Sequence, residues 1–115
     1  MSKCLFIFND SPYGSQRAYN GLRLAAALAR KTEVRVFLLG DGVTCALAGF
    51  NPAHADYNPQ ELLNQVAGAG APILACGTCM EARGITAEAL LAAVKRSTLD
   101  ELVAWTMECD KVISF

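Results

Sequence analysis

Two cysteines separated by two residues are the side chains with the clearest chemical potential in this sequence. Cys76 and Cys79 stand in the segment Cys-Gly-Thr-Cys, directly after a short apolar run. A thiolate is a nucleophile, and the N-terminal end of a helix favours its formation. If the segment is helical, the three-residue spacing puts both sulfurs on one face, where they can react with each other. Arg83 is the nearest cation in the sequence, and one helical turn from Cys79 it could reach back toward the sulfurs.

Other kinds of protein also carry a cysteine pair of this spacing. A structural zinc site needs two further ligands, but the chain has a single histidine, His54, and its other cysteines show no ligand spacing. We therefore expect no metal and no cofactor. A thioredoxin-like motif normally follows an early strand and opens a long helix, whereas this pair comes late and precedes a short turn ended by Gly84. A further alternative is that both cysteines are buried core residues without a chemical role. The intervening Gly77 and Thr78 argue against full burial.

The composition restricts the class of partner. The chain of 115 residues has a formal net charge of −1, and it lacks the clustered cations through which proteins bind nucleic acid. No apolar run approaches the roughly 18–20 residues that span a bilayer, and the start lacks a signal-peptide pattern. We expect no membrane segment and a cytoplasmic location, where cysteines stay reduced. Apolar residues make up 53% and charged residues 18% of the chain, and this excess predicts an oligomer with surface buried between subunits.

Short apolar runs alternate with segments of helical spacing along the whole chain. This alternation predicts one α/β domain over residues 1–115, with a parallel sheet of four to five strands and helices on both faces. The predicted strands lie at 3–8, 34–39, 72–75, 94–97 and 111–115. Helices are predicted around 18–29, 43–48, 59–67, 79–83, 88–92 and from 99 onward. Asn58 and Thr98 are predicted caps, because each is followed three residues later by Glu.

The turns after the first three strands locate a site. In open α/β sheets, ligands bind beyond the carboxyl ends of the strands, where the polar segments 9–15, 41–45 and 76–79 should meet. We expect a pocket around the cysteine pair, lined by Asn9, Ser11, Tyr13, Gly14, Asp41, Cys45, Gly77, Thr78 and Gly84. Structural alternatives stay open, because Asn9 and Asp41 are also common turn residues and Cys45 is equally suited to the core.

Several short segments occur in an order and spacing typical of one known family. They are Asn9 with Ser11-Pro12-Tyr13-Gly14-Ser15, Asp41 with Val43-Thr44, Tyr57-Asn58, Cys76-Gly77-Thr78-Cys79 with Arg83-Gly84-Ile85, and Asp110-Lys111-Val112 before Phe115. Together they resemble the DsrE/DsrF-like family over essentially the whole chain, and its small YchN-like members in particular. The resemblance implies a parallel α/β sheet and oligomers, with trimers or hexamers expected.

The resemblance also implies a chemistry. Sulfur-relay members of the family carry a persulfide on a cysteine eight residues before the glycine of an Arg-Gly pair, which here is Cys76 with Arg83 and Gly84. Cys79 matches a second cysteine of YchN-like members that many sulfur-relay members lack. The implied function is a sulfur carrier or sulfurtransferase-like protein, with a sulfur-donor or acceptor protein as partner. An oligomeric binding module and a dithiol redox protein remain as alternatives.

Overall fold

One parallel sheet of five strands organises the computed structural model, which describes residues 2–50 and 57–115. The strands, numbered β1 to β5 along the chain, are Lys3–Phe8, Glu33–Leu38, Ile73–Cys76, Val94–Ser97 and Lys111–Ser114. They lie in the order β4-β3-β2-β1-β5, and every neighbouring pair is parallel. The predicted α/β class and the five-stranded sheet are therefore confirmed.

Four α-helices and two 3-10 helices connect the strands within the described ranges. The α-helices α1 to α4 are Arg17–Ala29, Pro59–Gly68, Gly77–Ala82 and Leu99–Glu108, and the 3-10 helices are Gly40–Ala46 and Ala87–Ala89. Both predicted caps are confirmed, because the side chains of Asn58 and Thr98 accept the amides of Glu61 and Glu101 at 3.2 and 3.3 Å. These bonds satisfy amides that the first helical turn leaves unpaired.

Helices cover both faces of the sheet, as the sequence predicts. Gly21 of α1 faces the rings of Phe8 and Phe115, and its missing Cβ makes room for them. Phe8 pairs with Leu38 of β2, so these two side chains share a face of the sheet. Successive side chains of a strand alternate between faces, and Phe37 therefore points to the opposite face. There its ring meets Trp105 of α4 at a centroid distance of 6.3 Å.

The inner face of α4 differs from the prediction. The helical spacing predicts an inner stripe of Leu99, Leu102, Val103 and Thr106, but only Leu102 of these four is buried, together with Trp105. The large indole takes the central position over β2, which rotates Leu99 and Val103 toward solvent. The helix therefore presents apolar side chains on both its inner and its outer surface.

Other predicted boundaries also shift. The helices predicted at 43–48 and 88–92 are the 3-10 helices Gly40–Ala46 and Ala87–Ala89, and α3 begins at Gly77, two residues earlier than expected. The sequence also predicts a loop over residues 49–58, which contains His54, and residues 51–56 of it lie outside the described residues. Across the described ranges, no helix is long and apolar enough to cross a membrane.

Candidate functional site

Cys76 lies at the junction of a strand and a helix. It is the last residue of β3 and the N-cap of α3, because the helix begins without an intervening loop. Its Sγ accepts the amide of Cys79 at 3.4 Å and lies 3.2 Å from the Thr78 hydroxyl. The residue is 4% exposed. The sulfur therefore occupies the position in which a side chain of Ser or Asp normally caps a helix, and a negative charge is favoured there.

The surroundings of the two thiols shift their pKa values in opposite directions. Burial opposes ionisation of Cys76 most strongly, but hydrogen bonds from Cys79 and Thr78 outweigh it and lower the pKa of the Cys76 thiol. Burial raises the pKa of Cys79, and the neighbouring Cys76 raises it further, while the Gly40 amide and the Arg83 charge act in the opposite direction. The pKa of the Cys76 thiol is therefore lowered while that of the Cys79 thiol is raised, so Cys76 is the thiol of the pair that ionises more readily.

Cys79 receives its own hydrogen bond from a different element. The amide of Gly40, at the start of the first 3-10 helix, donates to Cys79 Sγ at 3.2 Å. Gly40 has a φ of +56°, which glycine adopts without strain. A Cβ on Gly42 would lie 1.9 Å from the carbonyl oxygen of Phe8, so this turn is pressed against β1. The close packing fixes where the Gly40 amide points.

Arg83 and Asp41 close the same side of the site. The guanidinium donates through Nε and Nη2 to one carboxylate oxygen of Asp41, at 3.0 and 2.7 Å. Its Nη1 donates to the carbonyl oxygen of Cys79 at 2.9 Å. Arg83 thus reaches back along α3 as the sequence suggests, and its hydrogen bonds go to the backbone of Cys79 and to Asp41. This ion pair joins the 3-10 helix after β2 to the C-terminal end of α3.

Gly77 is explained by packing from the neighbouring strand. A Cβ on this residue would lie 2.9 Å from Nε of Arg96 and 3.0 Å from the carbonyl oxygen of Ser97, both in β4. Arg96 also pairs with Glu81 of α3 at 2.9 Å. The sequence contains no local signal for the position of Arg96, because β4 and α3 meet only in the folded sheet. Gly84, with a φ of +66°, ends α3 and allows the chain to turn away.

The turn after β1 forms a separate cluster around Cys45. The Cys45 thiol donates to the carbonyl oxygen of Asp10 at 3.4 Å and is fully buried. Burial, with a contribution from the charge of Asp10, raises its pKa to about 12. Cys45 is thus neutral at physiological pH, which fits the structural reading of this residue. Gln60, a residue with no sequence signal for this role, accepts a hydrogen bond from the Tyr13 hydroxyl and donates one to the Cys45 carbonyl, both at 3.4 Å.

The predicted pocket residues of the turn after β1 make their contacts with residues other than the cysteine pair. Asn9 donates through Nδ2 to the carbonyl oxygen of Phe115 at 3.3 Å, so it ties β1 to the end of β5. Gly14 lies against Ser11, where an added Cβ would be 2.7 Å from the hydroxyl oxygen. The structure therefore brings together segment 76–79, Arg83 and the turn of Asp41, whereas the turn after β1 packs around Cys45.

Metal binding has no support from the described side chains. Within residues 2–50 and 57–115, no group of three or more His, Cys, Asp or Glu side chains could hold an ion. All five cysteines are free thiols. The site presents two neighbouring thiols, the Arg83 guanidinium and the amides of Gly40 and Cys79.

The fold and the site define a class of protein: a parallel α/β sheet that carries a hydrogen-bonded dithiol at the carboxyl end of a strand. The chain belongs to the DsrE/DsrF-like family, whose model matches residues 2–115. The resemblance inferred from the sequence motifs is therefore confirmed.

Individual relatives match over nearly their full lengths. Protein YchN of Escherichia coli is 39% identical over 118 residues and covers 100% of both chains, and its crystal structure superposes with a TM-score of 0.93. An uncharacterized protein of Methanopyrus kandleri is 42% identical over 95% of this chain and 90% of its own. A more distant relative, the Protein TusC homolog of Aliivibrio fischeri, is 25% identical over the full length of both chains.

Proposed function

We propose that this protein is a sulfur carrier with sulfurtransferase-type chemistry, in which Cys76 forms a persulfide. The observation that carries the proposal is the position of Cys76 Sγ, which caps α3 and contacts the Cys79 amide and the Thr78 hydroxyl. The Cys76 thiolate attacks the outer sulfur of a donor persulfide, forms a new S–S bond and expels the donor as a thiolate. The family relationship supports this chemistry through the sulfur-relay members that the sequence resemblance implies.

Cys79 is the proposed resolving thiol. Once Cys76 carries the extra sulfur, the Cys79 thiolate attacks the inner sulfur, a Cys76–Cys79 disulfide forms and hydrosulfide leaves. Cys79 is oxidised and the departing sulfur is reduced, so the step needs no external oxidant. A dithiol reductant then restores both thiols. A thiolate of an acceptor protein can take the sulfur instead, by attack on the outer sulfur of the same persulfide.

Thr78 marks the proposed route of entry for the donor. Thr78 is exposed while its hydroxyl contacts the buried Cys76 sulfur, so the path from solvent to the nucleophile passes this side chain. Arg83 and Asp41 form the opposite wall, and Gly77 and Gly84 shape the ends of α3. The turn after β1, with Asn9, Ser11, Tyr13 and Gly14, is proposed as a more remote wall of the pocket, together with Cys45 of the first 3-10 helix.

Mass spectrometry of the protein after incubation with glutathione persulfide tests the proposal. We expect a mass increase of one sulfur on the peptide of Cys76 in the Cys79→Ser variant, where release through Cys79 is blocked. Cys76→Ser in the same background is the matched control and should gain no sulfur. If no sulfur is bound in either variant, the carrier function is wrong and a binding module becomes the better description.

A dithiol redox protein is the second candidate, and the contrast between the two thiols favours it specifically. A lowered pKa on the N-cap cysteine and a raised pKa on the cysteine three residues later are also what disulfide exchange requires. This candidate predicts a reversible Cys76–Cys79 disulfide with a potential in the thioredoxin-like range and no persulfide after incubation with the donor. A redox titration beside the persulfide assay separates the two functions.

We also propose that the protein works as an oligomer in the cytoplasm, with trimers or hexamers expected from the family. On α4, Leu99, Val103 and Met107 recur every four residues and are 63, 51 and 82% exposed. Such a row of apolar side chains is typical of a surface that another subunit covers. Sedimentation of the protein at micromolar concentration as a monomer would contradict this proposal.

A further inference from the structure

The first 3-10 helix, which forms the turn after β2, contacts Cys79 in two independent ways. Its backbone reaches the sulfur directly, through the Gly40 amide at 3.2 Å from Cys79 Sγ. The Asp41 side chain acts on Cys79 indirectly. It accepts hydrogen bonds from the Arg83 guanidinium, which in turn donates to the Cys79 carbonyl at 2.9 Å. Neither contact involves Cys76, whose hydrogen bonds come from within its own segment.

Each sulfur therefore has its own set of donors on a separate part of the chain. Cys76 Sγ accepts from the N-terminal turn of α3, and Cys79 Sγ accepts from the Gly40 amide, while Arg83 donates to the Cys79 carbonyl oxygen. A site that used only Cys76 would need no donor aimed at Cys79. A site that uses the two sulfurs in succession needs each of them to carry negative charge in its own step.

We propose that Asp41 is a positioning residue for the second step, in which Cys79 attacks the Cys76 persulfide and hydrosulfide leaves. By holding Arg83 across the Cys79 carbonyl, Asp41 keeps a positive charge beside Cys79 and keeps α3 docked on the turn that carries the Gly40 amide. This inference rests on the proposed carrier function and assigns a role to a residue that touches neither sulfur.

The packing of the turn explains why Asp41 can act in this way. Gly42 is pressed against the Phe8 backbone, with no space for a Cβ, so the turn cannot follow α3 if the helix moves. The hydrogen bonds that join the two elements include the Arg83–Asp41 pair and the bond from the Gly40 amide to Cys79 Sγ. When Asp41 is removed, Arg83 keeps its hydrogen bond to the Cys79 carbonyl but loses its anchor on the turn, so the positive charge beside the Cys79 thiolate and the alignment of that thiolate are held less firmly.

Single-turnover release of sulfide tests the role of Asp41. Protein loaded with glutathione persulfide and then desalted is followed for hydrosulfide with a fluorogenic sulfide probe, and for the Cys76–Cys79 disulfide by mass spectrometry. The rate is normalised to the persulfide present at the start, so that differences in loading do not enter. We expect Asp41→Ala to slow release by about fivefold, the scale of one exposed but doubly hydrogen-bonded ion pair, and to move the pH profile of release to higher pH.

Two further variants separate positioning from a general loss of helix stability. Glu81→Ala removes the other ion pair of α3, with Arg96, and should leave the release rate within about twofold of the parent, as expected for an exposed pair. Arg83→Gln should slow release at least as much as Asp41→Ala, and the double variant should be no slower than Arg83→Gln alone, because Asp41 acts through Arg83.

The outcomes distinguish this inference from the carrier function. If the parent protein takes up no sulfur, the carrier function fails and this inference fails with it. If the parent takes up and releases sulfur but Asp41→Ala releases it at the parental rate, only the role of Asp41 is wrong. An equal slowing by Glu81→Ala, or additive effects of the Asp41 and Arg83 variants, would also overturn it.

Discussion

Replacement of Thr78 by Val probes the acidity of Cys76 with little change in shape. The variant keeps a β-branched side chain of the same size and replaces the hydroxyl, which lies 3.2 Å from Cys76 Sγ, with a methyl group. A hydrogen bond to a charged group contributes about 1.5–3 kcal/mol. Thr78 is exposed to solvent, so water competes with its bond, and the lower end of that range applies. About 1.5 kcal/mol corresponds to a rise of about one unit in the pKa of Cys76.

This rise has opposite consequences for reactivity at low and at high pH. Below both pKa values, the variant has about a tenfold smaller thiolate fraction, but each thiolate is about threefold more nucleophilic because it is more basic. The net rate of alkylation of Cys76 should fall by about threefold there. Above both pKa values the thiol is ionised in both proteins, and the variant should react about threefold faster. The two pH profiles must therefore cross.

Site-resolved mass spectrometry of iodoacetamide-modified Cys76 measures these rates across the pH range in which cysteines titrate. Thr78→Ser keeps the hydroxyl and is the matched control, with a profile expected to follow that of the parent. Profiles of parent and Thr78→Val that stay parallel would refute the reasoning, because they would show that the hydroxyl does not stabilise the thiolate. An equal shift in Thr78→Ser would attribute the effect to packing instead.

Three further predictions concern the core, the turn after β2 and the outer face of α4. The pKa of Cys45 is about 12 in the folded chain against an ordinary 9.0, so the unfolded chain loses this proton first as the pH rises. The free energy of unfolding should then fall between these two values by about 1.4 kcal/mol per pH unit, more steeply than in Cys45→Ala; equal slopes in urea titrations would contradict this. Gly42→Ala places a Cβ 1.9 Å from the Phe8 carbonyl oxygen and should cost about 3 kcal/mol in urea unfolding, whereas a loss below about 1 kcal/mol would show that the turn can move. Met107→Lys should shift the protein to smaller species in sedimentation velocity if α4 lies between subunits, while the solvent-exposed Glu101→Lys should not.

The elements that the sequence predicts well are those with local causes. Asn58 and Thr98 cap their helices because the cap bond spans only three residues, which a short pattern contains in full. The strands follow from apolar runs too short for helices, and the alternation of strands and helices leads to a parallel sheet. The prediction of Cys76 as the candidate carrier used its place at the end of an apolar run, which is a local property, and the spacing to Arg83-Gly84 that the family resemblance implies.

The contacts that distinguish the two thiols come from residues distant in sequence. The amide that reaches Cys79 Sγ belongs to Gly40, and nothing in the residue type signals it, because every non-proline residue has such a donor. The direction of that amide depends on how closely Gly42 packs on β1. Arg96 approaches Gly77 only because β4 lies beside β3 in the folded sheet.

The sequence by itself determined the fold class and the family, since these depend on periodicity and short motifs, and it predicted Cys76 as the candidate reactive cysteine. The tertiary structure decided which atoms surround each sulfur and divided the expected pocket into the dithiol site and the separate cluster around Cys45. The physical reason is that pKa values and hydrogen-bond geometry depend on distances of a few ångströms between segments. Those distances are set by sheet order and close packing, which no single stretch of the chain contains.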